Sequence, residues 1–293
     1  MSEDTATDTF VTHRNLLFTV AYEILGSAAD AEDVLQETWL RWARVDLGEV
    51  RDRRAYLVRI TTRQAIDRWR ALGRRKESYV GPWLPEPLLT TADVAEDVEL
   101  AESVSMAMLL VLETLAPTER AVFVLREVFA LGYDEIAEAV GKNTAAVRQI
   151  AHRAREHVAS RRPRGVPSAA ETRSVLDAFG RAIETGDVQG LLDVLAPDVV
   201  VVGDGGGVKQ AVLRPVAGAD KVARLLTAGL ARLPAVTLEP VQVNGDPALV
   251  LRVDGEIDTV VTVRIDDGLV TGLYAVRNPE KLSRMREATA LRR

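Results

Sequence analysis

The sequence contains no cysteine, which excludes disulfide bonds, cysteine-ligated zinc sites and thiol catalysis. Its three histidines, His13, His152 and His157, are too scattered for a histidine-rich metal site, so we expect neither a metal nor another cofactor. No apolar run approaches the roughly 20 residues that a helix needs to cross a bilayer. The acidic N-terminus MSEDTATDTF also lacks the pattern of a secretory signal. These absences predict a cytoplasmic protein with no membrane segment.

The charges that are present are sharply separated along the chain. The 293 residues are 47% hydrophobic and 27% charged, which suits a globular protein of two or three domains. Residues 41–76 carry twelve Lys/Arg against four Asp/Glu, and residues 141–164 carry seven against one. Residues 77–113 between them carry eight acidic side chains and no basic one. Because phosphate binding depends on local rather than total charge, two basic segments predict nucleic-acid binding despite the net charge of −6. Solvated helix faces are the alternative.

Helical periodicity dominates the first half of the chain. Apolar spacing predicts helices over 10–25, from 27 onward and over about 54–72. Trp39, Trp42 and Trp69 fall on the apolar stripes, so we expect core positions for them rather than base stacking. Two proline-containing segments interrupt the pattern: GPWLPEPL (81–88) should be extended, and RRPRGVPS (161–168) marks a domain boundary.

Beyond residue 168 the pattern changes to that of an α+β domain. Helices are predicted at 172–184, 188–195 and 218–233, and a last short one near Pro279. Strands are predicted at 199–202, 236–243, 248–253, 256–265 and 269–276. Asn-Gly and Asp-Gly dipeptides between the later strands are strong hairpin signals. Helices combined with an antiparallel meander predict a sheet covered by helices on one face.

The segment Tyr133–Val158 has the pattern of a helix-turn-helix. The first helix ends at Gly141, a three-residue turn follows, and Thr144 is predicted to cap the second, basic helix. With that helix in the major groove, the residues in reach of base edges are Thr144, Ala145, Arg148 and Gln149, and those nearer to phosphates are Lys142, Arg153 and Arg155. An ordinary αα-hairpin is the alternative.

Residues 115–155, LAPTERAVFVLREVFALGYDEIAEAVGKNTAAVRQIAHRAR, resemble conserved region 4 of extracytoplasmic-function sigma factors, which reads the −35 promoter element. The family usually has an apolar residue after the turn glycine, where this sequence has Lys142. Residues 25–43 resemble region 2.2, which docks on RNA polymerase, and residues 53–76 resemble the segment that opens and reads the −10 element. The resemblance covers residues 10–160 and implies core RNA polymerase and promoter DNA as partners.

The resemblance also assigns residues to two surfaces. The polymerase-binding residues, in the family's acidic D-x-x-Q-E pattern, are Asp33, Gln36 and Glu37. The −10 residues are Arg53, Tyr56, Arg59, Arg63, Arg68 and Arg70. To hold a separated DNA strand, a protein needs an aromatic or apolar group against the unstacked bases and arginines along the phosphate backbone. These side chains supply both. The acidic linker is interpreted either as a segment that threads a basic polymerase channel or as a flexible connector.

The C-terminal half resembles the SnoaL-like cone, in which helices are wrapped by a curved antiparallel sheet. Three short strings, WLPEP, DGGG and NPEKL, resemble a SigJ-type subgroup of these sigma factors, which implies that the extra domain packs on the linker and sets activity in cis. The regulatory residues are Trp83, Leu84, Pro85, Asp204, Gly205, Gly206, Gly207, Asn278 and Pro279. An extended proline-rich segment is a preformed ligand for an apolar groove, and glycines allow close backbone approach.

The resulting hypothesis is a multi-domain sigma factor: two all-α sigma domains, at 1–76 and 108–164, a linker at 77–107 and a SnoaL-like regulatory domain at 165–293. We expect a free monomer, with a small-molecule ligand in the C-terminal domain left open and no enzyme activity. A ligand-gated helix-turn-helix regulator is the first alternative. A SnoaL-like isomerase or cyclase using Asp204 and Tyr274 is the second, although Asp204 before three glycines is more simply a turn former.

Overall fold

The structure is a computed structural model that describes residues 2–91, 94, 97–161, 167–233 and 235–292. In chain order its elements are α1 (Ser2–Leu25), α2 (Ala28–Trp42), α3 (Arg53–Glu77), α4 (Val98–Val104), α5 (Met106–Leu112), α6 (Pro117–Phe123), a π-helical turn (Val124–Val128), α7 (Tyr133–Val140), α8 (Thr144–Ala159), α9 (Ala169–Thr185), α10 (Val188–Val194), β1 (Leu195–Asp204), β2 (Val216–Ala217), α11 (Ala219–Leu230), β3 (Val236–Val243), β4 (Asp246–Val253), β5 (Glu256–Asp266), β6 (Leu269–Val276) and α12 (Pro279–Leu282).

The chain divides into two compact units. Unit 1 contains Met1–Glu77, Met108–Arg162 and Ala290–Arg293, and unit 2 contains Ser78–Ala107 and Pro163–Thr289. The predicted linker, residues 77–107, therefore falls almost entirely within unit 2. No helix among the described residues is long and apolar enough to cross a membrane.

Unit 1 is a helical body whose first three helices pack on one another. Gly26, with a left-handed φ of 69°, ends α1, and the Ser27 hydroxyl accepts a hydrogen bond from the Asp30 amide to start α2. Trp42 is fully buried, and its indole N–H donates to the Ala6 carbonyl at 2.9 Å. Trp69 is buried as well, whereas Trp39 is half-buried. The core interpretation of Trp42 and Trp69 is thus confirmed.

Unit 2 is a six-stranded sheet covered on one face by α9, α10 and α11. The strand order is β2-β1-β6-β5-β4-β3, and the meander β3–β6 is antiparallel as predicted. β1 runs parallel to β6, which makes the sheet mixed rather than purely antiparallel. The hairpin turns place Asn244, Asp254 and Asp267 at positive φ before glycine, as the dipeptide signals predict. Bulges in β4–β5 and β5–β6 bend the sheet.

Candidate functional site

The helix-turn-helix consists of α7, a tight turn and α8. Gly141 adopts the left-handed conformation at φ 67° that the turn requires. The prediction that Thr144 caps the second helix is wrong. The N-cap is Asn143, whose side-chain oxygen accepts a hydrogen bond from the Ala146 amide at 2.8 Å. Thr144 is the first helical residue, and its hydroxyl donates to Asp134 at 2.6 Å, which fixes the start of α8 against α7.

The residues predicted to contact the −35 element lie on α8 and in the turn before it. The exposed ones are Lys142, Ala145, Arg148, Gln149, Arg153 and Arg155, while Thr144 is half-buried. Two arginines hold intramolecular partners, Arg153 with Glu119 at 3.7 Å and Arg155 with Glu127 at 2.9 Å. Surface ion pairs of this kind are worth about 0–1 kcal/mol, so a DNA phosphate competes with them readily.

The N-terminal part of the predicted −10 surface surrounds Tyr56. Its ring lies 5.9 Å from the Trp42 ring, and the Arg59 guanidinium lies 4.6 Å from its centroid. The Arg53 guanidinium donates to the Thr9 hydroxyl at 3.4 Å. Tyr56 is half-buried, so one part of the ring packs in unit 1 while the other remains accessible.

Arg59 and Arg63 of α3 contact the end of α7. The Arg63 guanidinium donates to the Glu138 carbonyl at 2.7 Å and to the Ala139 carbonyl at 3.3 Å, and Arg59 pairs with the Glu138 carboxylate at 3.3 Å. These carbonyls belong to the last turn of a helix, which has no intrahelical donors and carries the negative end of the helix dipole. Arg63 thus caps α7 within unit 1, and Arg59 adds an ion pair at the same end of that helix.

Arg68 and Arg70 have different surroundings from the other −10 candidates. Arg68 bridges Asp30 and Asp33 of α2, both at 2.7 Å, and its hydrogen bond to Asp30 raises the pKa of the guanidinium. Arg68 therefore ties α3 to α2. Arg70 is exposed and pairs with Asp67 at 3.1 Å.

The predicted polymerase-binding residues lie on the outer face of α2. Gln36 and Glu37 are exposed, while Asp33 is held by Arg68. Beside Gln36 lies a groove of about 440 Å³ lined by Phe10, Arg14, Glu32, Leu35, Gln36, Trp39 and Leu40. Leu40 is 58% exposed and adds apolar area to the groove. Sequence reasoning missed this groove because α1 contributes one wall of it.

Arg120 of α6 is a buried residue that sequence reasoning also missed. It is 0% exposed; its Nε donates to the Glu23 carbonyl at 2.6 Å and its Nη1 pairs with Glu113 at 2.6 Å. Its guanidinium also lies 4.7 Å from the Trp69 ring centroid. The Glu23 carbonyl belongs to the last turn of α1, so Arg120 caps α1 much as Arg63 caps α7.

Within unit 2, the three strings WLPEP, DGGG and NPEKL come together. Asp204 is 0% exposed and accepts hydrogen bonds from the Tyr79 hydroxyl at 2.5 Å, the Leu84 amide at 2.9 Å and the Lys281 ammonium at 2.7 Å. The predicted role of Asp204 as a turn former is confirmed, because its carboxylate also accepts the Gly206 amide at 3.1 Å, but Asp204 has a second role in holding the linker. The partners of Asp204 thus include Tyr79, Leu84 and Lys281, and not Tyr274, with which the isomerase alternative pairs it.

Lys281 completes this cluster, and neither it nor Tyr79 was among the predicted residues. Its ammonium donates to the Leu84 carbonyl at 2.5 Å and lies 3.3 Å from the Trp83 ring centroid and 5.0 Å from that of Tyr79. Burial and the hydrogen bond to Asp204 raise the pKa of Tyr79, which therefore stays protonated as a donor. A buried ion pair under two aromatic rings joins the linker to α12 and β1.

The glycines and Asn278 explain why the linker can approach so closely. A Cβ on Gly205 would lie 2.0 Å from the Lys209 carbonyl oxygen, and one on Gly206 would lie 2.4 Å from Asn278. A Cβ on Gly207 would lie 3.1 Å from Val80 of the linker. Asn278 caps α12 and donates to the Tyr79 hydroxyl at 2.8 Å. Larger residues in the loop would displace the segment it holds.

A second contact joins the linker to the β3–β4 turn. Asn244 forms two hydrogen bonds with Leu88. Its backbone amide donates to the Leu88 carbonyl at 2.9 Å, and its side-chain oxygen accepts from the Leu88 backbone amide at 3.0 Å. Its side-chain nitrogen donates to the Val104 carbonyl of α4 at 2.9 Å. The Gly245 amide donates to the Thr90 hydroxyl at 3.0 Å. Pro85 and Leu88 are buried between these two contacts, so the linker is held along its length.

The half-buried Asp246 follows this turn, and its removal from water raises the pKa of its carboxyl from 3.8 to about 7. Because the folded carboxyl holds its proton more tightly than the unfolded one, unit 2 should lose stability as pH rises from about 4 through 7. Asn cannot ionise, so Asp246→Asn should be more stable than the wild type above pH 7, with the difference fading toward pH 4. Hydrogen exchange of the β3–β6 amides of unit 2, compared between the variant and the wild type at each pH, checks this.

The matched control is Asp254→Asn, which changes an exposed aspartate in the next hairpin turn. Its β3–β6 amides should be protected like those of the wild type at every pH. An Asp246→Asn difference that is the same at pH 4 and pH 8 would show that the effect has another origin than ionisation.

Comparisons with known proteins match this organisation. The family Sigma-70 region 2 matches residues 9–75, and Sigma-70, region 4 matches residues 105–158. The ECF RNA polymerase sigma factor SigJ of Mycobacterium tuberculosis is 36% identical, covering 92% of this chain and 91% of its own length. The probable ECF sigma factor SigI from the same organism is 33% identical over 94% and 93%.

A solved structure agrees with the fold of the whole chain. The crystal structure of the extracytoplasmic function sigma factor SigJ of Mycobacterium tuberculosis gives a TM-score of 0.76 at 34% identity, covering 94% of this chain and 98% of that one. The likeness includes the α+β C-terminal part. This chain belongs to the extracytoplasmic-function RNA polymerase sigma factors.

Proposed function

We propose that this sigma factor binds core RNA polymerase through α2, reads the −35 duplex with α8 and contacts the opened −10 strand with α3. The observation that carries the −35 assignment is the exposed arginine-bearing face of α8 on a fixed helix-turn-helix. The protein works in the cytoplasm and makes no covalent change itself, since polymerase performs nucleotidyl transfer.

The polymerase contact combines Gln36 and Glu37 with the neighbouring groove. Trp39 and the exposed Leu40 supply apolar area, and the carboxylate supplies charge for a basic partner surface. An apolar patch rimmed by charged side chains is typical of a protein-binding site.

The −10 contact requires a rearrangement within unit 1. Arg59 and Arg63 hold the end of α7 in this structure, so each must leave it before binding a DNA strand. Arg63 would exchange two carbonyl oxygens for a phosphate, which is a stronger acceptor, and Arg59 would exchange an exposed carboxylate partner for a phosphate, so both exchanges are favourable once DNA is present. Tyr56 beside Arg59 then provides a stacking surface for an unpaired base.

Regulation in cis rests on unit 2. The linker is held at the Asp204–Lys281 cluster and at Asn244, so its availability to polymerase depends on whether these contacts open. A groove of about 730 Å³ beside the linker, with Val241, Val250 and Met285 in its wall, offers space for a small molecule. Glu239 and Glu256 of its lining form salt bridges with Arg252 and Arg286.

Run-off transcription with purified core polymerase on the DNA upstream of the protein's own coding sequence tests the proposal. We expect transcripts that require the added full-length protein and that are lost with Glu37→Arg, because the reversed charge opposes polymerase docking. The control Lys221→Ala, an exposed change on α11, should transcribe like the wild type. Sequence-specific duplex binding by the protein alone, without any transcript, would instead indicate a ligand-gated regulator.

A further inference from the structure

Tyr133, the first residue of α7, lies beside two arginines of unit 1. The Arg126 guanidinium lies 4.7 Å and the Arg148 guanidinium 5.6 Å from the centroid of its ring. Arg148 projects from α8, so the tyrosine side chain of α7 reaches the proposed recognition helix.

The position of Tyr133 is itself fixed. The Arg126 guanidinium donates to the Leu131 carbonyl at 2.8 Å, which anchors that arginine beside the turn leading into α7. The Gly132 amide donates to Glu135 at 2.8 Å, and the Thr144 hydroxyl donates to Asp134 at 2.6 Å. The ring therefore occupies a defined place between the starts of α7 and α8.

An aromatic ring beside an exposed arginine has a specific consequence for base recognition. Arg148 is exposed and would otherwise sample many rotamers, which it must give up to donate two parallel hydrogen bonds to a base. Stacking on an aromatic face restricts those rotamers while leaving the guanidinium edge free to donate. Preorganisation of this kind lowers the entropy lost on binding.

We propose that Tyr133 is a positioning residue for promoter reading: its ring holds Arg148 in the pose that distinguishes one base pair of the −35 element. The proposal rests on the function proposed above, in which α8 reads the −35 duplex. Tyr133 acts through Arg148 and does not itself touch a base.

The test is run-off transcription by core polymerase with the full chain, on the native template and on templates with single −35 base pairs replaced. We expect Arg148→Ala to lose about tenfold discrimination at one base pair, the scale of a single bidentate contact. Tyr133→Leu should lose most of the discrimination at that same base pair, and the double variant should lose no more than Arg148→Ala. Tyr133→Phe, which keeps the ring, should discriminate like the wild type there.

A merely structural role for Tyr133 gives a different result. If Tyr133→Leu lowers transcription from every template by one common factor, or if Tyr133→Phe loses discrimination as fully as Tyr133→Leu, the positioning role is overturned. A template with a pre-opened −10 region and no −35 duplex tests whether the variants are folded, because its transcription does not depend on −35 reading. All folded variants should transcribe it equally. Unchanged discrimination by Arg148→Ala would overturn the proposal while leaving sigma activity intact; no transcript with the wild type would overturn both.

Discussion

Replacing Lys281 with methionine is expected to lower the stability of unit 2 by about 3–5 kcal/mol, because it leaves the buried Asp204 carboxylate without its cation. Asp204 is 0% exposed, and the Lys281 side chain is 7% exposed, so water cannot substitute for the lost charge. The variant also removes the donor to the Leu84 carbonyl and the ammonium stacked on Trp83. Methionine fills similar volume, so the loss reports the charge rather than a cavity.

The measurement is hydrogen exchange of the linker amides in the full chain. The Leu84 amide donates to Asp204 and the Thr90 amide to the Gln242 carbonyl, so both should exchange faster when the linker opens locally. The β5–β6 amides serve as an internal reference. If the Leu84 amide exchanges at the wild-type rate in Lys281→Met, the ion pair does not hold the linker.

A double-mutant cycle with Asp204→Asn separates the pair from its parts. Because each single change leaves one buried group without its partner and the double change removes both charges, the double variant should be more stable than additivity predicts by about 1–3 kcal/mol. Additive effects would show that Asp204 and Lys281 contribute independently, for instance through Tyr79 alone.

The same variants test regulation in cis. If the docked linker controls activity, Lys281→Met should change run-off transcription several-fold relative to the wild type, while Lys221→Ala should not. An increase would show that docking restrains the sigma factor, and a decrease would show that docking prepares the linker for polymerase. Equal transcription from both, with the linker amides exchanging freely, would exclude control by this contact.

Local signals in the sequence account for most elements of the fold. Each hairpin turn with Asn-Gly or Asp-Gly has the positive φ that only such dipeptides adopt easily, and Gly141 ends α7 for the same reason. The parallel pairing of β1 with β6 was not predicted, because β1 joins the far side of the meander and no local signal encodes such a partner.

The key residues of the buried sites could be predicted only in part. Asp204 and the linker were placed together by resemblance, but Lys281 lies 77 residues from Asp204, and its partner cannot be read from periodicity. From sequence alone, a lysine that follows Pro-Glu at the start of a helix is predicted to be solvent-exposed. Arg120 likewise reads as an exposed residue in the first turns of a helix, and only the tertiary packing of α6 on α1 buries it.

Arg120→Ala should destabilise unit 1 by about 3–5 kcal/mol, the scale for removing one partner of a buried ion pair. The change removes the donor to the Glu23 carbonyl, the partner of Glu113 and the cation beside Trp69 in a single step. Arg120→Lys should recover only part of the loss, because a single ammonium cannot reproduce the directions of the planar guanidinium.

Hydrogen exchange of the full chain checks this, since unfolding of two units is not a single two-state transition. Amides at the end of α1 and in α6 should lose protection in Arg120→Ala, whereas the β3–β6 amides of unit 2 should not change. Glu113→Gln, which keeps a side-chain oxygen for the guanidinium, should lose less. Both arginines cap a helix end, Arg120 that of α1 and Arg63 that of α7. Because Arg120 is fully buried and Arg63 is exposed, Arg63→Ala should destabilise unit 1 far less than Arg120→Ala does. If Arg120→Ala and Arg63→Ala unprotect their helices equally, burial does not set the strength of these caps.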